Sequence, residues 1–258
     1  MSEFVVAAAQ QRVVRDMETN KSKALSLVKR AMQVDARIVV LPEVCNTGFF
    51  PENYEKVGSA EEELDLILKL SEKKDILIIA GIAEREDGNL YNTVALIHRG
   101  EIVGKYRKIL LFPLTEERKY FKSGKELKVF ETPYGNIGVL VCYEIRFPEF
   151  ARKLTKMGAE ILAIPAEFPS SRIEHWKILT RARAIENQLF VIASNCVDYE
   201  KNYNGHSVIV DPCGNVLNEG GELQELIFSE IDIREVEKCR KTFPFLDDLK
   251  IAERICPD

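Results

Sequence analysis

The chain has 258 residues, enough to bury a substantial core in one large domain or two small ones. Apolar residues make up 46% and charged residues 30%, a globular balance that sets disorder aside as a class. Lys and Arg total 36 against 41 Asp and Glu, and the resulting net charge of −5 argues against nucleic acid or an anionic membrane as the main partner.

The segment EFVVAAAQQ at the N-terminus reads as a strand. Its apolar run, residues 4–9, falls far short of the roughly 20 residues a spanning helix needs. The N-terminus carries Glu3 and no basic leader, so the expectation is a cytoplasmic protein without a signal peptide. ETNKSKALSLVKRAMQVD follows with apolar residues at helical spacing, and ARIVVLPE is a short buried strand closed by Pro42. A second helix is expected near 60–74, then a strand over DILIIAGIAE. LYNTVALIHRGEIVGKYRK predicts a hairpin turning at HRGE, and LKVFETPYGNIGVLVC a second one turning at Pro133–Asn136. Pro148 suits the first position of a helix that stops at Gly158. AEILAIPA is a strand, SRIEHWKILTRARAIENQ a helix, and LFVIASNCV, HSVIVDP and ELIFSEID are strands before a short helix and tail. Hairpins and strand–helix–strand runs occur together, so the expected fold is a single α/β domain over residues 1–258 with mixed sheets. The six cysteines (45, 142, 196, 213, 239, 256) show no C-x-x-C pair and no zinc spacing, which reads as free thiols in a reducing compartment.

Three polar residues stand where strands are expected to end: Glu43, Lys108 and Cys142. The carboxyl ends of strands are where α/β sheets assemble their sites. Each residue also has a plain structural reading. A cysteine in an apolar strand packs as a small hydrophobe, a strand-end lysine is solvated, and a glutamate after Leu-Pro caps a turn. Against that, Cys142 precedes a helix N-terminus, which stabilises a thiolate, in an arrangement like a strand-to-helix nucleophile elbow. Alternation puts Ile102, Gly104, Tyr106 and Lys108 on one apolar face, and an inward lysine needs an anionic partner. A glutamate partly buried beside these two could act as a general base.

The segments LPEVCNTGFF, KYRKILLFP, CYEIRFPE and WKILTRARAIENQLFVIASN, with NGHSVIVDPCGNVL after them, resemble the carbon–nitrogen hydrolase family, the nitrilase superfamily. The likeness runs in order from the first strand to near residue 235. It implies a four-layer αββα sandwich with two mixed sheets, and a catalytic triad of Glu43, Lys108 and Cys142. It also implies a second glutamate, for which Glu117 in EERKYFKSG aligns better than Glu116; the plain reading of that run is a solvated loop. Two positions depart from many relatives: Leu110 stands in place of a histidine, and Glu167-Phe168 in place of Asn-Trp at a segment expected to border the pocket.

On this reading Glu43 takes the Cys142 proton as sulfur attacks an amide carbon, and the oxyanion rests on Lys108 and the Tyr143 N–H. Ammonia leaves a thioester, which water hydrolyses, with no metal or cofactor. Tyr143, where nitrile-cleaving relatives commonly have tryptophan, favours an amide. Arg146 could pair with a substrate carboxylate or with Glu149, and Phe49 is a candidate pocket wall. The expected activity is ω-amidase-like, on a small carboxylate-bearing amide. N-carbamoyl amide hydrolysis, nitrile hydrolysis and a non-catalytic binding protein are the alternatives. A Cys–His enzyme would have to draw on His98, His175 or His206, none of which sits in a matching motif. The family's habit of assembly implies at least a homodimer.

Overall fold

A computed structural model describes residues 2–255. In chain order the first half runs β1 (Glu3–Gln10), α1 (Met17–Gln33), β2 (Ala36–Val40), α2 (Ala60–Ser71), β3 (Leu77–Glu86), β4 (Asn89–His98), β5 (Glu101–Arg107) and a four-residue α3 (Glu117–Tyr120). The second half runs β6 (Val129–Thr132), β7 (Gly135–Val139), α4 (Pro148–Lys156), β8 (Ile161–Ala166), α5 (Ile173–Asn187), β9 (Phe190–Asn195), β10 (Val197–Asp198) and β11 (Tyr203–Asn204). It closes with β12 (Val208–Val210), β13 (Val216–Glu219), β14 (Glu225–Asp232), α6 (Arg234–Thr242) and α7 (Leu249–Ile255).

These strands form two six-stranded sheets, ordered β14-β1-β2-β3-β4-β5 and β13-β12-β9-β8-β7-β6. Both are mixed. β1, β2 and β3 run parallel, as do β7, β8 and β9, while the hairpins add antiparallel edges. Strand alternation builds the layers. Val6, Ile38, Ile79, Val139, Ala163 and Ile192 meet in the core between the sheets. The intervening residues Ala7, Val39 and Ile78 turn outward onto Leu27, Val28 and Leu64 of α1 and α2. Leu162, Ile164 and Val191 pack in the same way against Leu154 of α4 and Trp176 of α5. The central strands are buried on both faces, which is why they read as continuous apolar runs rather than alternating ones. The result is the expected αββα sandwich.

Local chemistry sets the ends of the elements. Asp16 accepts from the Thr19 N–H to cap α1, and Ser59 with Glu62 forms a capping box on α2. Arg99-Gly100 makes the predicted hairpin turn with φ of +50° and +84°, the left-handed pair that such two-residue turns require. Asp87-Gly88 does the same between β3 and β4, making a hairpin of what reads as separate strands.

One expectation about β5 changes. Ile97 pairs with Ile102 and Leu96 with Gly104, so Val103 is a bulge. The bulge reverses the alternation: Ile102 faces the helices of the first sheet, whereas Tyr106 enters the core between sheets. Ile102 therefore does not share the face of Gly104 and Tyr106. Among the described residues no helix is long and apolar enough to cross a membrane. The five described cysteines are free, and Cys256 lies outside the described residues.

Candidate active site

Glu43 and Lys108 follow strands of the first sheet, and Cys142 follows β7 of the second. The ends of the two sheets bring them together. The Lys108 ammonium donates to Glu43 Oε1 at 2.7 Å and to the Glu117 carboxylate at 2.9 and 3.0 Å. Asn92 donates to the same two carboxylates, at 2.7 and 2.9 Å. The Glu167 N–H holds Glu43 Oε2 at 3.0 Å, and the Phe112 N–H holds Glu117 Oε2 at 2.6 Å. Lys108, Glu43 and Glu117 are all buried, so the pairing is what keeps the charged forms tolerable. Burial on its own would lower the Lys108 pKa, but the Glu43 and Glu117 charges outweigh it and raise the pKa. Glu117 is thus separated from its neighbour Glu116, which lies on the surface in an ion pair with Lys119.

Cys142 sits at φ +46°, a left-handed conformation that costs a β-carbon residue on the order of 1 kcal/mol or more. Here the chain leaves β7 and enters a one-turn 3₁₀ helix, residues Cys142–Arg146, ahead of α4. The sharp turn presents the thiol to the pocket and leaves Tyr143 in the first turn of that helix, where early N–H groups lack helical acceptors. The thiol is not a resting thiolate, contrary to what the nearby helix start suggests. Burial, then the Glu43 carboxylate, push its pKa well above the usual thiol value against the pull of Lys108. A thiol in that state needs a base at the moment of attack, and Glu43 is beside it.

Glu144, which the sequence reading did not select although it lies inside CYEIRFPE, braces the site. Its buried carboxylate accepts from the Tyr106 hydroxyl at 2.8 and 2.9 Å and from the N–H groups of Ile109, Leu110 and Val141. It therefore ties the segment after Lys108 to the segment before Cys142. Burial pushes its pKa up to about 6, against those backbone donors. Leu110 contributes its N–H to this clasp from the position where many relatives have histidine.

Gly81 positions the third corner. A β-carbon there would lie 2.3 Å from the Pro42 carbonyl oxygen and 2.8 Å from the Glu43 α-carbon, both backbone atoms. Gly81→Ala is expected to destabilise the fold by about 2 kcal/mol through this overpacking. Urea denaturation checks it, and a variant as stable as the parent would show that the Glu43 segment yields freely.

The site opens into a cavity of about 120 Å³ lined by the four charged or nucleophilic residues and by Phe49, Phe112, Tyr143, Arg146, Glu167 and Phe168, among others. All the sequence-selected residues therefore border one space. The Tyr143 ring packs on Phe112 and Phe147, with centroids 5.0 and 5.2 Å away. Arg146 lies over the Phe168 ring at 5.2 Å with its guanidinium 3.3 Å from His175 Nδ1. It does not pair with Glu149: among the described residues no carboxylate lies within 4.0 Å of it. Arg172, which the sequence reading did not select, lies over Phe112 in the same cavity. Burial and the Arg172 charge lower the Arg146 pKa, so two guanidinium groups share one region without an acid to neutralise them. Lys201 also lines the cavity, donating to the Phe49 carbonyl and lying over Phe50. His98 pairs with Asp75 and His206 with Glu219, so the histidine reading finds no partner for Cys142 in either.

Comparison with known proteins agrees with this fold. The chain is 39% identical over 221 residues to a protein of Bacillus subtilis (strain 168) named 2-oxoglutaramate amidase, covering 83% of this chain and 85% of that one. It is 35% identical over 263 residues to omega-amidase NIT2 of Mus musculus, with 95% of each covered. The crystal structure of Saccharomyces cerevisiae Nit3, described as a member of branch 10 of the nitrilase superfamily, superposes with a TM-score of 0.86 at 30% identity, over 94% of this chain and 95% of that one. The sequence profile of the carbon-nitrogen hydrolase family matches residues 5–241. A strand-end cysteine, an inward lysine and a buried glutamate on an αββα sandwich thus have their context, and the chain belongs to the carbon–nitrogen hydrolase family of the nitrilase superfamily.

Proposed function

We infer that this chain is an amidase that hydrolyses the C–N bond of a small carboxylate-bearing amide, through a thioester on Cys142, with release of ammonia. The observation that carries the reading is the buried Lys108 ammonium, bonded to both Glu43 and Glu117 in the cavity that holds the thiol. Glu43 takes the Cys142 proton as sulfur attacks the amide carbon. Charge moves to the former carbonyl oxygen, which Lys108 and the Tyr143 N–H stabilise. Collapse of that intermediate breaks the C–N bond. The nitrogen leaves as ammonia with the proton from Glu43, and the acyl group stays on sulfur. Glu43 then deprotonates water, which attacks the thioester, and the acid and the free thiol are regenerated. Glu117 holds Lys108 in place throughout.

Substrate choice rests on Arg146 and Arg172, whose charges no acid in the cavity neutralises. A substrate carboxylate supplies the missing partner. The names of the relatives, 2-oxoglutaramate amidase and omega-amidase, point the same way. We place the chain as one domain in the cytoplasm, where its free thiols suit a reducing compartment. It acts as at least a homodimer, for which the exposed Ile178 and Ile185, seven positions apart on one face of α5, are the supporting feature.

The test is an ammonia-release screen over ω-amides of short dicarboxylic acids, uncharged amides, N-carbamoyl compounds and nitriles. The carboxylate-bearing amides are expected to be turned over best, and intact mass is expected to show the acyl adduct. Arg146→Ala should lower kcat/KM for a carboxylate-bearing amide by about 10- to 100-fold, mostly through KM, while an uncharged amide changes little. Preference for carbamoyl compounds or nitriles would move the protein to another branch of the family.

A further inference from the structure

Glu167 follows β8 at the end of the series Ile161, Ala163, Pro165, whose first two members face the space between the sheets. Its backbone is already part of the site. The N–H donates to Glu43 Oε2 at 3.0 Å, and the carbonyl accepts from the Cys142 thiol at 3.6 Å. Its side chain lines the same cavity and is only 3% exposed. Both carboxyl oxygens are shielded from solvent and have no hydrogen-bond partner among the described protein groups. A buried polar group that the protein leaves unpaired costs stability unless water or a ligand meets it, and in a substrate cavity the ligand is in reach. Burial, then the charge of Glu43, hold this carboxyl well above the ordinary range, with Asp198 raising it and Lys201 and Lys108 opposing. Protonated or not, the group offers an acceptor oxygen to whatever enters the cavity.

Its position says which part of the ligand it meets. The two arginines lie over the Phe168 and Phe112 rings, and they take the distal carboxylate. Glu167 instead adjoins Glu43, the residue that hands a proton to the departing nitrogen. We propose that Glu167 forms the leaving-group subsite, a carboxyl oxygen accepting an N–H of the scissile amide and so selecting unsubstituted, primary amides. The inference rests on the amidase reading above. It adds a contact that the triad does not supply: Glu43 serves the proton in transfer, while Glu167 holds a hydrogen that stays on nitrogen.

The experiment compares two substrates with the same acyl group, the monoamide of a short dicarboxylic acid and its methyl monoester. The ester has no N–H to offer, and kcat/KM for each reports steps up to departure of ammonia or methanol. Glu167→Met keeps the length of the side chain and removes both oxygens. It is expected to lower kcat/KM for the amide by about 10- to 100-fold and to leave the ester within about threefold. Glu167→Gln keeps an acceptor oxygen at the same reach and is expected to restore the amide rate to within about fivefold. An equal loss on both substrates, or none on either, overturns the proposal in favour of a structural role. A Gln variant as slow on the amide as the Met variant also overturns it, because an acceptor oxygen at that place would then not be what the amide needs. If the parent enzyme cleaves the ester but no amide, or cleaves neither, the amidase reading itself has failed, and that is seen before any variant is made.

Discussion

Cys142→Ala is expected to fold and to release no ammonia. In a covalent mechanism the thiol cannot be replaced by water at any useful rate, and removal of such a nucleophile typically costs about 10⁴- to 10⁶-fold. The fold should barely notice. Cys142 lies at the cavity wall, and the change removes one sulfur atom, worth about 1 kcal/mol of burial at most. Its φ of +46° is retained by alanine at similar strain, whereas glycine adopts it freely. Cys142→Gly should accordingly be as inactive as the alanine variant and melt at the same temperature or higher, which is the signature of backbone strain held at the nucleophile. Thermal melts and an ammonia assay check both, and intact mass should show no acyl adduct on either. Turnover by either variant above about one part in a thousand of the parent would remove Cys142 from the mechanism.

Much of this arrangement was legible in the sequence, because strands announce where they end. Pro42 closes β2 beside Glu43, and an apolar run stops abruptly at Cys142. Buried central strands and hairpin turns such as Arg99-Gly100 carry their own local signals. What sequence could not show depends on long-range meetings. The Val103 bulge flips Ile102, and only pairing with β4 reveals it. Asn92 sits in the middle of β4 looking like any strand polar residue, yet it bridges Glu43 and Glu117. Glu144 carries no signal of its own in the sequence, and its bracing contacts appear only once Tyr106, Ile109 and Leu110 are seen around it. Lys201 reaches the cavity from a loop between two-residue strands, too short to have a periodic pattern. β13 is likewise a brief edge strand, too short to predict with half-exposed residues such as Val216 and Leu217.

Lys108→Met should be the most damaging single change, because it removes activity and stability together. The side chain is 1% exposed and neutralises two buried carboxylates at once. Taking away one partner of a buried ion pair costs about 3–5 kcal/mol, since it leaves charge behind rather than merely losing attraction. Here two carboxylates would remain, facing one another across Asn92 with nothing positive between them. Urea denaturation at pH 8 should find the variant less stable than the parent by that amount. The rate should drop by at least about 10³-fold, because on the proposed mechanism the principal oxyanion donor is gone and Glu43 loses the contact that aims it. Lys108→Arg separates charge from shape. It keeps a cation, yet a planar guanidinium cannot repeat the ammonium's close approach to both carboxylates, so stability should recover more than activity. If Lys108→Met were as stable as the parent at pH 8 and still released ammonia, the buried ion cluster would be incidental, and the chemistry assigned to it would have to sit elsewhere in the cavity.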